Sequence, residues 1–345
     1  MKFSDELLNW YDANKRDLPW RNTDNPYVIW ITEVVFQQTR IAQGLPYFLK
    51  FIEKFPTVQH LARAKEEDVL KFWQGLGYYS RARNLHFSAK YIVNDLAGKF
   101  PKTYKDLLKL KGVGPYIAAE VASVCYGEKV AAVDGNVQRV LARYFGIEEA
   151  VNEKIGAKLV QDFANAHIPT NRPGDFNQAL MDFGSSICAP KKPVCEDCIF
   201  NASCWALRNN RVGSLPLKVK KVKVRKRVFN YYLSICDDKL PVYKRVAGDV
   251  WQGLFEPLMT EQKTKQDKIA LDEVVSKGNG YLLHSSKRIL SHQNIEMNFW
   301  VINEIPIEMD SFTIRWASLE ELLQFPVSKS IEELFSLAKF KDLFI

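Results

Sequence analysis

The chain has 345 residues, 47% of them hydrophobic, and carries 48 Lys and Arg against 40 Asp and Glu for a formal charge of +8. That length and apolar content suit two packed cores and exclude low-complexity disorder, while the basic surplus suits a polyanion partner without requiring one. The opening MKFSDELLNWYDANK has acids where a secretion signal needs an apolar run, and no apolar stretch is long enough for a membrane span, so a cytoplasmic protein with no membrane partner is expected.

In chain order, residues 4–14 read as an amphipathic helix capped by Ser4, with Leu7, Leu8 and Trp10 inward, before the extended loop Asp17-Leu18-Pro19-Trp20-Arg21. After Asn25-Pro26 comes YVIWITEVVFQQTR, apolar on almost every side except for Glu33 and the tail Gln37-Gln38-Thr39-Arg40. A helix hydrophobic nearly all round is buried. Glu33 is therefore a carboxyl in or beside a core, where desolvation raises its pKa toward that of a general acid unless an arginine pairs with it. Helices over 45–55 and 68–74 lead to Gly75-Leu76-Gly77-Tyr78-Tyr79-Ser80-Arg81-Ala82-Arg83. Glycines, an apolar side chain, two rings and two guanidiniums suit entry into a base stack while phosphates are held, or simply a packed loop. Ser80 then caps a helix to about Ala97.

The next stretch, Leu110 to Asn136, is LKGVGPYIAAEVASVCYGEKVAAVDGN. Gly112 and Gly114 tolerate positive φ and let another molecule's backbone come close, and Pro115 suits a helix's first turn. A tight turn and a helix over 115–126 are expected, with free N–H groups at its start that can hold a phosphate. Asp134 ends an apolar run and opens another amphipathic helix, whose N-terminus stabilises its anion. Helices near 135–145, 154–166 and 175–185 precede Cys188, Cys195, Cys198 and Cys204, which are separated by six, two and five residues with no histidine among them. Four thiolates in so short a loop read as a metal site in a reducing compartment, a 4Fe-4S cluster or zinc, while Cys125 and Cys236 read as two buried thiols.

Residues 209–227 change character, with Lys218, Lys220, Lys221, Lys223, Arg225, Lys226 and Arg227 in a stretch rich in positive charge. This is a basic linker that tracks a phosphate backbone or stays solvated. From Val228 the texture is β-rich, with a helical segment over 271–275 and a closing pair of helices, an α+β domain over 228–345.

The order LPWR, PY, TEVVFQQT, GLGYYSRARNL, KGVGPYIAAEVAS, VDGNV and C-x6-C-x2-C-x5-C resembles the MutY adenine DNA glycosylases, helix-hairpin-helix enzymes with an iron–sulfur cluster. The likeness spans nearly all of residues 10–208 and, more weakly, 228–345. It implies a mainly α, two-lobed catalytic domain over 1–208, the N-terminal helix joining the cluster lobe and residues near 22–125 forming the other. It also implies a 4Fe-4S cluster on the four cysteines of the 188–204 loop and a MutT-like recognition domain over 228–345. The activity implied is that of a monomeric, monofunctional DNA glycosylase of base excision repair. It flips adenine out of double-stranded DNA and excises it opposite 8-oxoguanine or guanine by hydrolysis of the N-glycosidic bond.

In that scheme Glu33 protonates the base, Asp134 stabilises or attacks the sugar, Tyr116 sits beside Asp134 and Asn136 supports them. Arg16, Arg21 and Gln178 match positions that bind the adenine or order the catalytic groups. Gln38, Leu76 and Tyr78 match the wedge, and Gly112 and Gly114 belong to the hairpin that binds DNA. The endonuclease III branch has at the position of Tyr116 a lysine that cuts the strand through a Schiff base, which a phenol cannot form. Leu290-Ser291-His292 matches a Phe-Ser-His loop that probes 8-oxoguanine, with Leu290 in place of the ring, and the magnesium-binding acidic helix of MutT-like enzymes is missing. The rival within the same fold is a thymine or oxidised-pyrimidine glycosylase.

Overall fold

A computed structural model describes residues 2–219, 224–277, 280–303 and 314–344. Lys220, Lys221 and Lys223 of the expected linker lie outside the described residues. The chain divides into two compact units, residues 1–63 with 84–220 and residues 64–83 with 221–345.

Among its described residues the first unit is helical throughout. The helix Phe3–Asn14 starts earlier than expected, with Lys2 rather than Ser4 at its N-cap and no side chain bonding there. Phe3 explains this: it is drawn into the core at 6% exposure, stacks on Phe200, and carries Ser4 into the helix behind it. Phe3, Leu7, Leu8 and Tyr11 share one core with Val137, Leu141, Phe176, Leu180, Phe183 and Phe200, so the N-terminal helix packs with residues of the 131–200 stretch. Helix Pro26–Val35 is capped by Asn25, whose side chain accepts from Tyr27 N, and packs against Ile41–Lys54 and Pro115–Tyr126. Pro115–Tyr126 has the expected bounds, and Gly135–Phe145 opens on Asp134 as N-cap. Helix Pro173–Ser186 packs against Phe3–Asn14, Pro115–Tyr126 and Gly135–Phe145, so its polar residues reach all three.

The second unit carries β1 (Arg225–Leu233), β2 (Leu240–Lys244), β3 (Phe255–Pro257), β4 (Met259–Gln262), β5 (Tyr281–Ile289), β6 (Gln293–Val301) and β7 (Ile314–Ala317). They form two sheets, ordered β4-β1-β6-β5 and β3-β2-β7, with β1 and β6 parallel. Along β6 burial alternates, and Ile295, Met297 and Phe299 face a core completed by Phe229, Val242, Phe255 and by Ile331, Leu334 and Phe335 of helix Lys329–Ser336. Arg225, Lys226 and Arg227 are part of β1 rather than of a linker. Arg227 is buried because Asp249 and Glu261 neutralise it.

Residues 64–83 belong with this unit through contacts that a sequence pattern does not display. Lys71 Nζ donates to Leu323 O (2.7 Å) and Phe325 O (3.0 Å), Tyr79 Oη to Val327 O (3.3 Å), and Val327 N to Gln74 Oε1 (3.2 Å).

Helix Lys154–His167 of the first unit lies so close to the preceding turn that a Cβ on Gly156 would sit 2.3 Å from the Ala150 carbonyl oxygen. At a free helix position Gly→Ala adds up to about 1 kcal/mol of stability. Here the clash reverses the sign, and Gly156→Ala is expected to lower unfolding free energy by about 1–3 kcal/mol in urea titration.

Candidate active site

A cavity of about 360 Å³ in the first unit is lined by Arg16, Arg21, Glu33, Tyr116, Glu120, Asp134, Asn136, Gln178, Met181 and neighbouring residues. Each element contributes for a local reason. Helix Pro26–Val35 is apolar enough to be buried and brings Glu33 with it. Tyr116 stands in the first turn after Pro115, Asp134 is held by its own N-cap geometry, and Gln178 and Met181 project from the central helix Pro173–Ser186.

Glu33 is half-buried because its side chain faces the cavity. The packed protein around its carboxyl nevertheless pushes its pKa up to about 7, against the lowering effects of the Tyr116 hydrogen bond and the Arg21 charge. Tyr116 Oη donates to Glu33 Oε2 at 2.6 Å and also reaches Met181 Sδ at 3.0 Å. The phenol is thus a direct partner of Glu33, with Asp134 acting on it only through charge.

Asp134 Oδ1 accepts from the backbone N–H groups of Asn136 and Val137, both at 2.8 Å, and Oδ2 accepts from Asn136 Nδ2 at 2.8 Å. These donors and the Arg139 charge lower its pKa, yet burial outweighs them and the net shift is upward. The helix start alone predicted the opposite sign. It omits that the same cap is sunk against Ala131, Ala132 and Val137.

Asp182, buried at 1% exposure, organises the loop before Pro26. Its Oδ1 accepts from Arg16 Nε (3.0 Å) and Nη2 and from Arg21 Nη2 (2.8 Å). Arg21 Nη1 also donates to Tyr11 Oη (2.8 Å), which in turn donates to Gln178 Oε1 (2.9 Å). Asp182 and Glu120 escaped sequence reasoning, since the register of each helix decides whether its acid faces water or the core. The spacing of Gln178 and Asp182 on one face was the available signal.

The turn before Pro115 is as tight as expected, but only Gly112 has positive φ, at 83°. Gly114 is the N-cap, with φ −90°, and a Cβ there would meet no atom within 4 Å, which leaves its outer face open. Gln38 is exposed, with φ 58°, and is not part of the cavity lining.

A model of the HhH-GPD superfamily base excision DNA repair protein matches residues 31–164. An adenine DNA glycosylase of Buchnera aphidicola subsp. Schizaphis graminum is 34% identical over 79% of this chain and 80% of its own. That of Buchnera aphidicola subsp. Baizongia pistaciae is 32% identical over 96% of each chain. The chain belongs to the adenine DNA glycosylase family. The human adenine DNA glycosylase is 40% identical over 59% of this chain and 39% of its own. Among solved structures, a thermostable thymine-DNA glycosylase superposes with a TM-score of 0.56 at 34% identity, over 60% of this chain and 95% of its own. Endonuclease III in a DNA complex, at TM-score 0.52 and 24% identity over 60% and 94%, shares the fold.

Cys188, Cys195, Cys198 and Cys204 form no disulfide and are partly buried, whereas Cys236 is exposed and Cys125 only half-buried, so these two are not the buried pair expected. Among the described residues no three His, Cys, Asp or Glu side chains come together as a site for one metal ion. The four thiols still act on one another electrostatically, since Cys188, Cys195 and Cys204 each raise the pKa of Cys198. Arg143 Nη1 donates to Cys188 Sγ at 3.4 Å. Four spaced thiols that act on one another beside a guanidinium fit an anionic cluster larger than one ion.

In the second unit Leu76, Tyr78, Ser291 and His292 line one cavity of about 530 Å³, together with Asp249, Trp251 and Leu290. Ser291 Oγ and His292 Nδ1 lie 3.1 Å apart, and both residues are exposed. Tyr78 is 48% exposed with φ 45°, while Leu76 is buried.

Glu33 is held above its unfolded pKa of 4.5, so its contribution to stability is intact below pH about 4.5 and is lost as pH rises through about 7. Glu33→Gln is expected to match wild type near pH 4.5 and to exceed it by about 1–3 kcal/mol at pH 8.5, read from urea unfolding at each pH.

Proposed function

We propose that this chain excises adenine mispaired with 8-oxoguanine or guanine in double-stranded DNA, hydrolysing the N-glycosidic bond without cutting the strand. One observation carries the reading: a carboxyl bonded by Tyr116, Glu33, whose pKa burial pushes up to about 7, shares one cavity with a second carboxyl, Asp134, held by three donors.

Cleavage of the glycosidic bond leaves electrons on the base and positive charge on the sugar. With Oε2 engaged by Tyr116, Glu33 offers its proton from Oε1 to adenine N7, so the base leaves neutral. Asp134, fixed by Asn136 and the helix start, faces the sugar and stabilises the cation until water adds. Arg16 and Arg21, steadied by Asp182, frame the base with Gln178. No lysine lines the cavity among the described residues, which supports hydrolysis without a Schiff base. The exposed turn at Gly112 and Gly114 and the basic balance of the chain support DNA as partner.

The cavity of Leu76, Tyr78, Ser291 and His292 suits the opposite base in a MutT-like recognition unit. Gln38 of the first unit and Leu76 and Tyr78 of the second are each read as wedge residues, Tyr78 exposed and Leu76 buried, and the protein as a monomer. Cys188, Cys195, Cys198 and Cys204 would hold a 4Fe-4S cluster, whose contribution is to brace the loop rather than to take part in hydrolysis.

Single-turnover base release from a duplex with adenine opposite 8-oxoguanine is expected, with none from adenine opposite thymine and strand breaks only after alkali. The rate should fall as pH rises through about 7, where Glu33 loses its proton, and Glu33→Gln should reduce it by on the order of 10²-fold or more. Release of thymine opposite guanine instead would favour the thymine enzyme of the same fold. Purified protein should contain about four iron atoms per chain and equal sulfide, and a zinc content near one would overturn the cluster assignment.

A further inference from the structure

Glu120 has no part in the scheme above, yet it lines the same cavity. It lies one turn beyond Tyr116 on helix Pro115–Tyr126, so both side chains leave the helix on one face. Glu120 is 1% exposed, and its Oε2 has no hydrogen-bond partner. Gln178 bonds its carboxyl, and because Tyr11 Oη takes Gln178 Oε1, the amide N–H of Gln178 is the group turned to it. A buried, half-satisfied carboxyl at the wall of a binding cavity costs stability that an alanine at this position would not.

Burial raises the pKa of its carboxyl well above the usual value, and neighbouring carboxyls add to the rise. Glu33 and Asp134 line the same cavity, and Arg21, whose charge opposes the rise, is bonded to Asp182 and Tyr11. A neutral carboxyl sets a C=O acceptor beside an O–H donor. That is the pattern an Asn or Gln amide offers to adenine, whose 6-amino group donates beside a ring nitrogen that accepts.

We infer that Glu120 is a specificity-determining residue, whose uncharged carboxyl pairs with the 6-amino group and the adjacent ring nitrogen of the flipped base. This rests on the proposed adenine excision and adds a contact that selects for the amino group. Glu33 remains the proton donor to N7. Glu120 completes its hydrogen bonds only when a base with an acceptor beside an amino donor is seated, and a base that lacks the amino group leaves it unsatisfied.

The test is single-turnover release from two duplexes opposite 8-oxoguanine, one bearing adenine and one bearing purine, which has hydrogen in place of the amino group. Wild type, Glu120→Ala and Glu120→Gln are compared. The adenine-over-purine rate ratio is expected to fall on the order of ten-fold in Glu120→Ala and to be kept by Glu120→Gln, whose amide retains the acceptor and donor. Glu120→Leu replaces the alanine variant if that one does not fold. Equal loss on both duplexes, no loss on either, or failure of Glu120→Gln to keep the ratio overturns the contact and leaves the adenine reading intact. No adenine release by wild type overturns that reading, and the Glu120 contact with it.

Discussion

Asp182 takes both arginines of the loop before Pro26, and the chemistry of the cavity depends on that one ion cluster. A carboxyl buried near an arginine ordinarily pairs with it and becomes a permanent anion. Glu33 escapes this because Arg16 and Arg21 are already bonded to an anion at 1% exposure, so that only the residual field of Arg21 reaches it. Desolvation then wins over attraction, and Glu33 keeps a proton near neutral pH. The same arrangement fixes Gln178 through Arg21 and Tyr11, so the setting of Glu33 and of the Gln178 amide depends on one buried aspartate.

Asp134 shows a closer balance between the same forces. Three hydrogen bonds hold its oxygens, two from backbone N–H groups of the helix start and one from the Asn136 amide. Such geometry usually depresses a carboxyl pKa, and here it only limits the rise that burial imposes. In the proposed reaction a carboxylate held in this way would be stabilised further as positive charge develops on the sugar.

What could be read from the chain beforehand follows from which interactions are local. Glu33 was legible because an all-round apolar helix leaves no exposed face for it, and Asp134 because its cap, its apolar run and its helix are contiguous. Pro115 and the glycines before it marked the turn, although Gly114 needed openness rather than positive φ. Ser4 misled because the demand of Phe3 for the core is a tertiary fact that overrides a local cap preference. Asp182 and Glu120 were invisible for a related reason: their partners come from distant segments, and a single acid in a helix carries no mark of which way it points. The grouping of residues 64–83 with 221–345 was equally hidden, since it runs through carbonyl groups that every residue possesses.

The arginines that pair with acids are deployed differently in the two units. In the second unit Arg227 bridges Asp249 and Glu261, and Arg245 bridges Asp249 and Glu256, so each guanidinium is shared between acids. Asp249 and Glu261 are driven below the usual carboxylate range, and Tyr231 and Tyr243 donate to Glu256, whose burial would otherwise leave it exposed to protonation without support. That network spends its charges on holding the strand β1 to the loop after β2, whose Asp249 and Trp251 line the cavity there. In the first unit Arg16 and Arg21 converge on Asp182, while Glu33 and Asp134 of the same cavity are bonded by the uncharged donors Tyr116 and Asn136. The protonation of the cavity carboxyls thus follows from how the cations are distributed rather than from their number: with Arg16 and Arg21 drawn to Asp182, burial raises the pKa of Glu33 and of Glu120.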